Sequence, residues 1–247
     1  MNRSERIAEL VDELNGLGLP LMALSLEELC RNGAIDDLDG ISLAERIVGP
    51  EYEQRSSLLY RNRLRRAKLA GCPSRIDLCR DGSGRSYLPV GITETLGTLD
   101  FVRDGLNVCV LGPSDSGKTY LAKALAVQAC RSYRALYTHC SELLESMAAQ
   151  KDSDFAKYQK KIRFLVKLDL LVLDDFLLNT VADETEVKVL FEVLEKRSEA
   201  QRSTVVCSQR DPSSWSSMIM NDPVTADAIL KRATRHYTVV ISQPNEI

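Results

Sequence analysis

A glycine-rich segment has the spacing of a phosphate-binding loop. Residues 112–119 follow the pattern G-x-x-x-x-G-K-[ST], in which backbone N–H groups can ring a phosphate because the glycines leave room for it. The pattern predicts that Lys118 reaches the β- and γ-phosphates of ATP and that the Thr119 hydroxyl holds Mg²⁺. The predicted nucleotide-binding residues are Gly112, Pro113, Ser114, Asp115, Ser116, Gly117, Lys118, Thr119 and Tyr120.

One residue of this loop departs from the commonest pattern. Asp115 stands where many such loops carry another glycine. A carboxylate near a triphosphate is repulsive unless it points outward, so we expect weaker nucleotide affinity than usual. The context still favours a phosphate site, because an apolar run precedes the loop and an Ala/Leu-rich helix pattern follows it.

Two adjacent acids supply the second part of the predicted site. Residues 170–173 are all apolar and predict a buried strand, and Asp174 and Asp175 follow directly. Ligands of open α/β sheets bind at the carboxyl ends of the strands, so we expect both acids near the loop. Asp174 is the expected Mg²⁺ ligand, directly or through water, and Asp175 is expected to orient or deprotonate the attacking water. The alternative for Asp175 is a capping role in the next segment.

A polar pair ends another predicted strand, at residues 204–207. Ser208 and Gln209 follow it, and a polar side chain at that tip would face the γ-phosphate and could position the water. Both are candidate catalytic residues. Hydrogen bonding within the loop is the competing interpretation.

Strand and helix patterns alternate from about residue 105 onward. Such alternation is typical of an α/β protein with a parallel sheet between helices. The prediction is a five-stranded parallel sheet flanked by helices, with strands at residues 106–111, 135–138, 170–173, 204–207 and 237–241.

The preceding part of the chain has a helical pattern instead. Residues 1–75 are expected to form an N-terminal helical region that contacts a partner or DNA, and residues 76–247 the ATPase core. Ser25 and Glu28 resemble a capping box before a short helix. A longer helix is expected over about residues 43–69, with a possible break at Gly49-Pro50.

A basic segment lies within this helical region. No acid occurs between residues 55 and 68, although the whole chain has a net charge of −3. A charge run is often a solvated surface, but the absence of acids favours contact with DNA phosphates that does not depend on base sequence. The candidate DNA-binding residues are Arg61, Arg63, Arg65, Arg66 and Lys68.

Composition and the N-terminal sequence indicate the cellular compartment and the state of the cysteines. The longest apolar runs are too short to cross a membrane, and the N-terminus lacks the pattern of a signal peptide, so we expect a cytoplasmic protein without membrane contact. The 7 cysteines include no C-x-x-C pair, which predicts reduced thiols rather than a zinc site. His139 and His236 are expected to be structural, and Trp215 a packing residue.

Taken together, these motifs resemble the IstB-like transposition helper ATPases, AAA+ proteins related to the DnaC-type helicase loaders. The more specific signals are Ser-Gln-x-Asp-Pro at residues 208–212 with Trp215, and Ala-Asp-Ala-Ile-Leu at residues 226–230. The resemblance covers roughly residues 45–245. It implies a P-loop NTPase fold of the AAA+ type, and the few residues after 241 leave no evident room for a C-terminal helical lid.

The resemblance also implies a function. It implies a DNA-binding regulator that hydrolyses ATP at a slow rate stimulated by DNA or a partner, forms a homo-oligomer on duplex DNA and assists a transposase. It implies an arginine that acts across a subunit boundary, for which Arg232 matches best and Lys231 and Arg235 are rivals. The alternatives are a DnaC-like helicase loader, a scaffold that binds ATP without hydrolysing it, and a metabolic P-loop kinase, for which no acceptor pocket is evident.

Overall fold

Two compact units make up the chain in the computed structural model, Met1–Asn62 and Arg63–Ile247. The structure describes residues 2–82, 84–219 and 223–242. Within these ranges no helix is both long enough and apolar enough to cross a membrane. The sequence-based boundary at residue 75 lies inside the second unit.

The first unit is helical. It contains α1 (Arg3–Gly16), α2 (Pro20–Arg31) and most of α3 (Gly40–Arg66). The Asn2 side chain and Glu5 form a capping box at the start of α1, which satisfies backbone N–H groups that the helix itself cannot pair. A small apolar core holds the unit together, centred on Val11, Ala23 and Leu26.

Two helix predictions for this unit are wrong. The expected capping box at Ser25 lies in the middle of α2, which begins at Pro20, a residue whose fixed φ suits the first turn of a helix. The expected break at Gly49-Pro50 is not present, because α3 is continuous through Pro50.

The second unit alternates strands and helices. In chain order its elements are β1 (Ser86–Leu88), α4 (Ile92–Gly97), α5 (Asp100–Arg103), β2 (Val108–Leu111), α6 (Lys118–Ala129), β3 (Ala135–His139), α7 (Cys140–Ser153), α8 (Phe155–Lys167), β4 (Leu170–Asp174), α9 (Glu184–Glu199), β5 (Ser203–Ser208), α10 (Trp215–Met218), α11 (Pro223–Thr234) and β6 (Tyr237–Ser242).

These strands form one six-stranded sheet in the order β1-β6-β2-β5-β4-β3. All neighbours from β6 to β3 are parallel, which confirms the five predicted strands. The sixth strand, β1, pairs antiparallel with β6 at the sheet edge and was not predicted, because its three residues are too few to show a strand pattern. The carboxyl ends of β2, β5 and β4 consequently lie side by side.

The central strands are buried on both faces, as a parallel sheet between helices requires. Helices α7, α8, α9 and α11 share one apolar cluster with side chains of the sheet. Trp215 belongs to this cluster, is 0% exposed and contacts Phe176 edge to face with ring centroids 4.9 Å apart, so its predicted packing role is confirmed. All seven cysteines are free thiols.

A buried arginine joins three elements of this core. Arg197 of α9 is 0% exposed, and its guanidinium donates to the backbone oxygens of Leu165, Leu168 and Ser203 and to the Thr204 hydroxyl. Burial lowers the pKa of Arg197 to about 9. The side chain therefore satisfies the carbonyl oxygens at the end of α8 and the start of β5.

We expect the Arg197→Met variant to lose about 3–5 kcal/mol of unfolding free energy, because removing one partner of a buried charged network leaves several carbonyls unpaired. Denaturant unfolding followed by the fluorescence of buried Trp215 measures the loss. The matched control is Arg103→Met at an exposed position, expected to change stability by less than about 0.5 kcal/mol. Equal stability of both variants would contradict this role of Arg197.

Candidate nucleotide-binding site

The predicted phosphate-binding loop lies between β2 and α6. Asp115 and Gly117 have φ values of 61° and 99°. A Cβ atom at Gly112 would lie 2.5 Å from the Ile241 carbonyl oxygen and 2.7 Å from Ser116 Oγ, so only glycine fits there. The loop therefore has the compact backbone that a cradle of N–H groups needs, directly before the N-terminus of a 12-residue helix.

Two polar side chains of the loop are buried, which is the state expected of groups kept for a ligand. Lys118 is 6% exposed and donates from Nζ to the Pro113 carbonyl oxygen of the same loop. Burial lowers the pKa of the Lys118 ammonium, and the nearby carboxylates of Asp174, Asp175 and Asp115 oppose that shift. Ser116 Oγ is buried without a hydrogen-bond partner among the described residues. These observations fit a site for a polyanion.

Asp174 lies at the carboxyl end of β4 and is 1% exposed. The Tyr137 hydroxyl of the neighbouring strand β3 donates to its Oδ2 at 2.6 Å, and the Asp175 backbone N–H donates to its Oδ1 at 3.1 Å. Burial and the contact with Asp174 raise the pKa of Tyr137, so the phenol keeps its proton and remains a donor. The carboxylate is thus fixed in one orientation beside Lys118.

Asp175 has a left-handed backbone conformation, with φ 53°. His139, the last residue of β3, donates from Nδ1 to Asp175 Oδ2 at 3.0 Å. The next helix, α9, is capped by Asp183 rather than by Asp175. Tyr137 and His139 lie two residues apart on β3, and they bind Asp174, the last residue of β4, and Asp175, which follows it. His139 therefore contacts a candidate catalytic residue. The sequence did not indicate this contact, because His139 has no neighbours at ligand spacing.

The two candidates at the end of β5 differ in their surroundings. Ser208 is 0% exposed, and its Oγ accepts a hydrogen bond from the Arg210 backbone N–H, which is the loop role considered as the alternative. Gln209 is exposed and lines the same cavity as Lys118 and Thr119. The geometry therefore favours Gln209 over Ser208 as a residue that faces bound nucleotide.

A cavity of about 540 Å³ connects these residues, within the size range of small-molecule sites. From the predicted set it is lined by Ser114, Asp115, Gly117, Lys118, Thr119, Tyr120, Asp175 and Gln209. Five lining residues were not predicted: Cys72, Pro73, Ser74, Arg85 and Lys123. The first three follow the C-terminal end of α3, in a segment where the sequence predicted no site residue. Asp174, which is 1% exposed, is not among the lining residues, so of the two predicted metal ligands only Thr119 reaches the cavity surface.

Arg232 does not line this cavity. Its Nη2 donates to Glu195 Oε1 at 2.9 Å, Nη1 donates to the Ala228 carbonyl oxygen, and the guanidinium lies 5.0 Å from the Phe191 ring centroid. It lines a separate cavity of about 490 Å³ with Lys231 and Arg235. Lys231 forms an ion pair with Asp227, whereas Arg235 forms none within the described ranges. His236 accepts a hydrogen bond from the Asn107 backbone N–H, a structural contact as predicted.

The residues of the basic segment differ in their surroundings. Arg63 donates to the carbonyl oxygens of Cys130 and Arg131 at the C-terminal end of α6, a favourable place for a cation. This contact gives Arg63 a structural role that does not require DNA. Arg61, Arg65, Arg66 and Lys68 are exposed.

Helix α8 carries a second basic surface, which was not predicted from the sequence. Its exposed residues include Lys157, Lys160, Arg163 and Lys167, and the helix contains no acid. Phe164 lies among them and is 44% exposed. Burial and the charge of Lys68 lower the pKa of Lys161, so this surface adjoins the end of the basic segment.

Comparison with known proteins identifies the family. The sequence profile of the IstB-like ATP-binding proteins matches residues 12–246. The chain belongs to this family. Its relatives include an insertion sequence ATP-binding protein of Sinorhizobium fredii, 34% identical over 90% of this chain and 88% of the relative. Another is the insertion sequence IS1162 ATP-binding protein of Pseudomonas fluorescens, 32% identical over 81% of this chain and 84% of the relative.

The fold of this IstB-like protein is shared with solved structures of the AAA+ class. DnaA from Aquifex aeolicus bound to AMPPCP superimposes with a TM-score of 0.55 at 19% identity, over 70% of this chain and half of DnaA. DnaI superimposes with a TM-score of 0.52 at 21% identity, over 71% of this chain and 91% of DnaI. The predicted AAA+ type P-loop fold is confirmed.

Proposed function

We propose that this IstB-like protein is an ATPase that assembles as a homo-oligomer on duplex DNA and assists a partner transposase. The observation that carries the proposal is that Lys118, Asp174 and Asp175 lie close together at one edge of the sheet, beside the N-terminus of α6. The names of the relatives, which are ATP-binding proteins of insertion sequences, support the link to transposition.

The chemistry of the site is ATP hydrolysis. The loop backbone and Lys118 bind and orient the triphosphate, while Thr119 and Asp174 are the candidate metal ligands. Mg²⁺ bound there would neutralise phosphate charge. Asp175 accepts a proton from the attacking water or orients it, and His139 fixes the direction of that carboxylate. Gln209 is the candidate for positioning the same water from the end of β5.

The basic face of α8 is the surface that we propose for DNA. Lys157, Lys160 and Lys167 recur at helical spacing around exposed Phe164. Cations without intervening acids neutralise phosphates, so the contact would be salt-dependent and largely independent of sequence. Exposed Lys68, the last residue of the predicted basic segment, adjoins this surface at Lys161.

Replacing Lys157, Lys160 and Lys167 by Gln is expected to weaken duplex binding and to reduce the slope of log K against log salt concentration. Up to three phosphate contacts would be lost, so the slope falls by at most about 2.7. Fluorescence anisotropy with a labelled duplex of arbitrary sequence, repeated across salt concentrations, measures both quantities.

The matched control for this variant replaces Arg6, Arg103 and Lys188 by Gln, which removes the same charge from other exposed positions. The control is expected to retain the wild-type slope. Equal losses in both variants would mean that net charge alone governs binding. Neutralising Arg61, Arg65 and Lys68 tests the predicted basic segment in the same way.

For the arginine that acts between subunits, we propose the group formed by Lys231, Arg232 and Arg235. Arg232 is held by Glu195 in its own chain, so reaching a neighbour's γ-phosphate requires that ion pair to open. Arg235 lines the same cavity and needs no such release. A guanidinium there would stabilise charge in the transition state and report the nucleotide state to the interface.

Subunit mixing tests this role. The Arg232→Ala protein and the Lys118→Ala protein are each expected to have little ATPase activity, and mixing them should restore part of it, because intact Lys118 sites then meet intact arginines. The same mixture with Arg235→Ala separates the two candidates. Failure of both mixtures to gain activity would assign these arginines to structure within one subunit.

The partner is tested by capture and by activity. Wild-type protein is expected to hydrolyse ATP faster with duplex DNA than without it, and to bind the transposase expected to be encoded beside it. Binding to a hexameric replicative helicase but not to the transposase would favour helicase loading instead. Absence of any DNA effect on either ATP hydrolysis or assembly would contradict the proposed regulator.

A further inference from the structure

Arg85 enters the nucleotide cavity from a part of the chain outside every predicted motif. It directly precedes β1, and Ser86, the first residue of β1, pairs with Ser242 of β6. The Tyr87 backbone N–H donates to Asp81 Oδ1 at 2.8 Å, and the Tyr87 side chain is 2% exposed. Pairing with β6, the hydrogen bond to Asp81 and the burial of Tyr87 thus hold the edge strand β1 in place, and this position brings Arg85 next to the phosphate-binding loop.

The Arg85 side chain packs directly on the loop. A Cβ atom at Gly117 would lie 2.7 Å from Arg85 Nε and 2.9 Å from Cζ. The guanidinium therefore occupies the space that a side chain at Gly117 would fill, and it lines the same cavity as Lys118 and Thr119. Gly117 immediately precedes α6, whose N-terminal turn is the part of the loop that faces phosphate oxygens.

The charges around Arg85 suit an anionic ligand. No carboxylate within the described ranges forms an ion pair with Arg85, although its half-buried guanidinium presents several donors in a planar fork. The cavity also contains Asp115 and Asp175, which repel a polyanion. Arg85 adds a cation to Lys118 and Lys123 in the same cavity and would offset that repulsion, including the contribution of Asp115.

We propose that Arg85 is a nucleotide-binding residue that contacts the β- and γ-phosphates of ATP from within the same chain. The proposal rests on the nucleotide site assigned above and adds a cation to it. A planar guanidinium group can make two parallel hydrogen bonds to a phosphate. The contact would therefore contribute more to the affinity for ATP than to the affinity for ADP, and least to the affinity for AMP. A guanidinium stacked on the adenine ring would instead contribute equally to the affinities for ATP, ADP and AMP, because all three carry that ring.

The test compares ATP, ADP and AMP as competitors of a fluorescent ATP analogue bound to wild-type protein and to Arg85→Gln. We expect the variant to lose about 10-fold in ATP affinity, less in ADP affinity and little in AMP affinity, on the scale of one charge-assisted hydrogen bond. Arg85→Lys, which keeps the charge, should recover part of the ATP affinity. Arg103→Gln is the matched control at an exposed arginine and should bind all three nucleotides as wild type does.

The outcomes are distinct. An equal loss for all three nucleotides would assign Arg85 to the base, the ribose or the α-phosphate, which they share, and would overturn the contact with the β- and γ-phosphates. Unchanged affinities in Arg85→Gln, with wild-type protein binding ATP, would overturn the proposal and leave the rest of the site intact. If wild-type protein bound no nucleotide, the nucleotide site itself would be wrong and Arg85 would fall with it.

Discussion

The Lys118→Ala variant is expected to lose at least about 100-fold in ATP affinity, which corresponds to about 3 kcal/mol. Lys118 is buried in the loop, where its ammonium now donates to the Pro113 carbonyl oxygen. Bound triphosphate would replace that neutral acceptor by charged oxygens, and hydrogen bonds between charged groups contribute more than neutral ones. Isothermal titration calorimetry with ATP and Mg²⁺ measures the change.

The control for this variant is Lys188→Ala, which removes an exposed lysine paired with Glu184 on α9. It should bind ATP with wild-type affinity, because Lys188 is not among the residues that line the cavity. Unfolding midpoints of both variants show whether lost affinity reflects a lost fold. Wild-type affinity in folded Lys118→Ala would refute the assignment of the loop.

The Asp175→Asn variant is expected to bind ATP within about 3-fold of wild type but to lose about 100- to 10,000-fold in turnover, the usual contribution of a positioned general base. Asparagine has nearly the same shape, so the hydrogen bond with His139 can be kept with a change of tautomer. The amide cannot accept a proton from water. Steady-state ATPase assays and calorimetry on the same preparation separate turnover from affinity.

Asp152→Asn provides a matched exchange at an exposed position of α7 and should leave both quantities unchanged. His139→Ala gives a second measurement, because it leaves the Asp175 carboxylate present but unsupported. A turnover between that of wild type and Asp175→Asn is expected. Persistent wild-type hydrolysis in Asp175→Asn would remove the proposed role of this acid and favour Gln209 or another group.

The central features of the site were predictable because they are local in the sequence. The loop at residues 112–119 and the apolar run before Asp174 each lie within a few consecutive residues. Parallel strands place their carboxyl ends at one sheet edge, so the meeting of Lys118 with Asp174 follows from the pattern alone. Strands β2 to β5 were predictable for the same reason, since strands buried on both faces are nearly continuous apolar runs. Strand β6 alternates exposed and buried residues, and its run of β-branched residues made it predictable.

The missed features depend on which elements become neighbours. Tyr137 and His139 contact Asp174 and Asp175 only because β3 pairs with β4, an order that no local pattern specifies. Arg85 reaches Gly117 through a three-residue strand that pairs with the distant β6. The contact of Arg63 with the C-terminal end of α6 was not predicted either, because a basic residue next to a helix C-terminus looks the same in sequence as one that contacts phosphate.

A crystal structure with a non-hydrolysable ATP analogue and Mg²⁺ tests the central claim most directly. We expect the triphosphate inside the loop at residues 112–119, with Lys118 Nζ about 2.7–2.9 Å from a β- or γ-phosphate oxygen. The metal ion should lie between the Thr119 hydroxyl and the Asp174 carboxylate, either in contact or through one water molecule. Nucleotide bound elsewhere, or a metal ion remote from Asp174, would contradict the account.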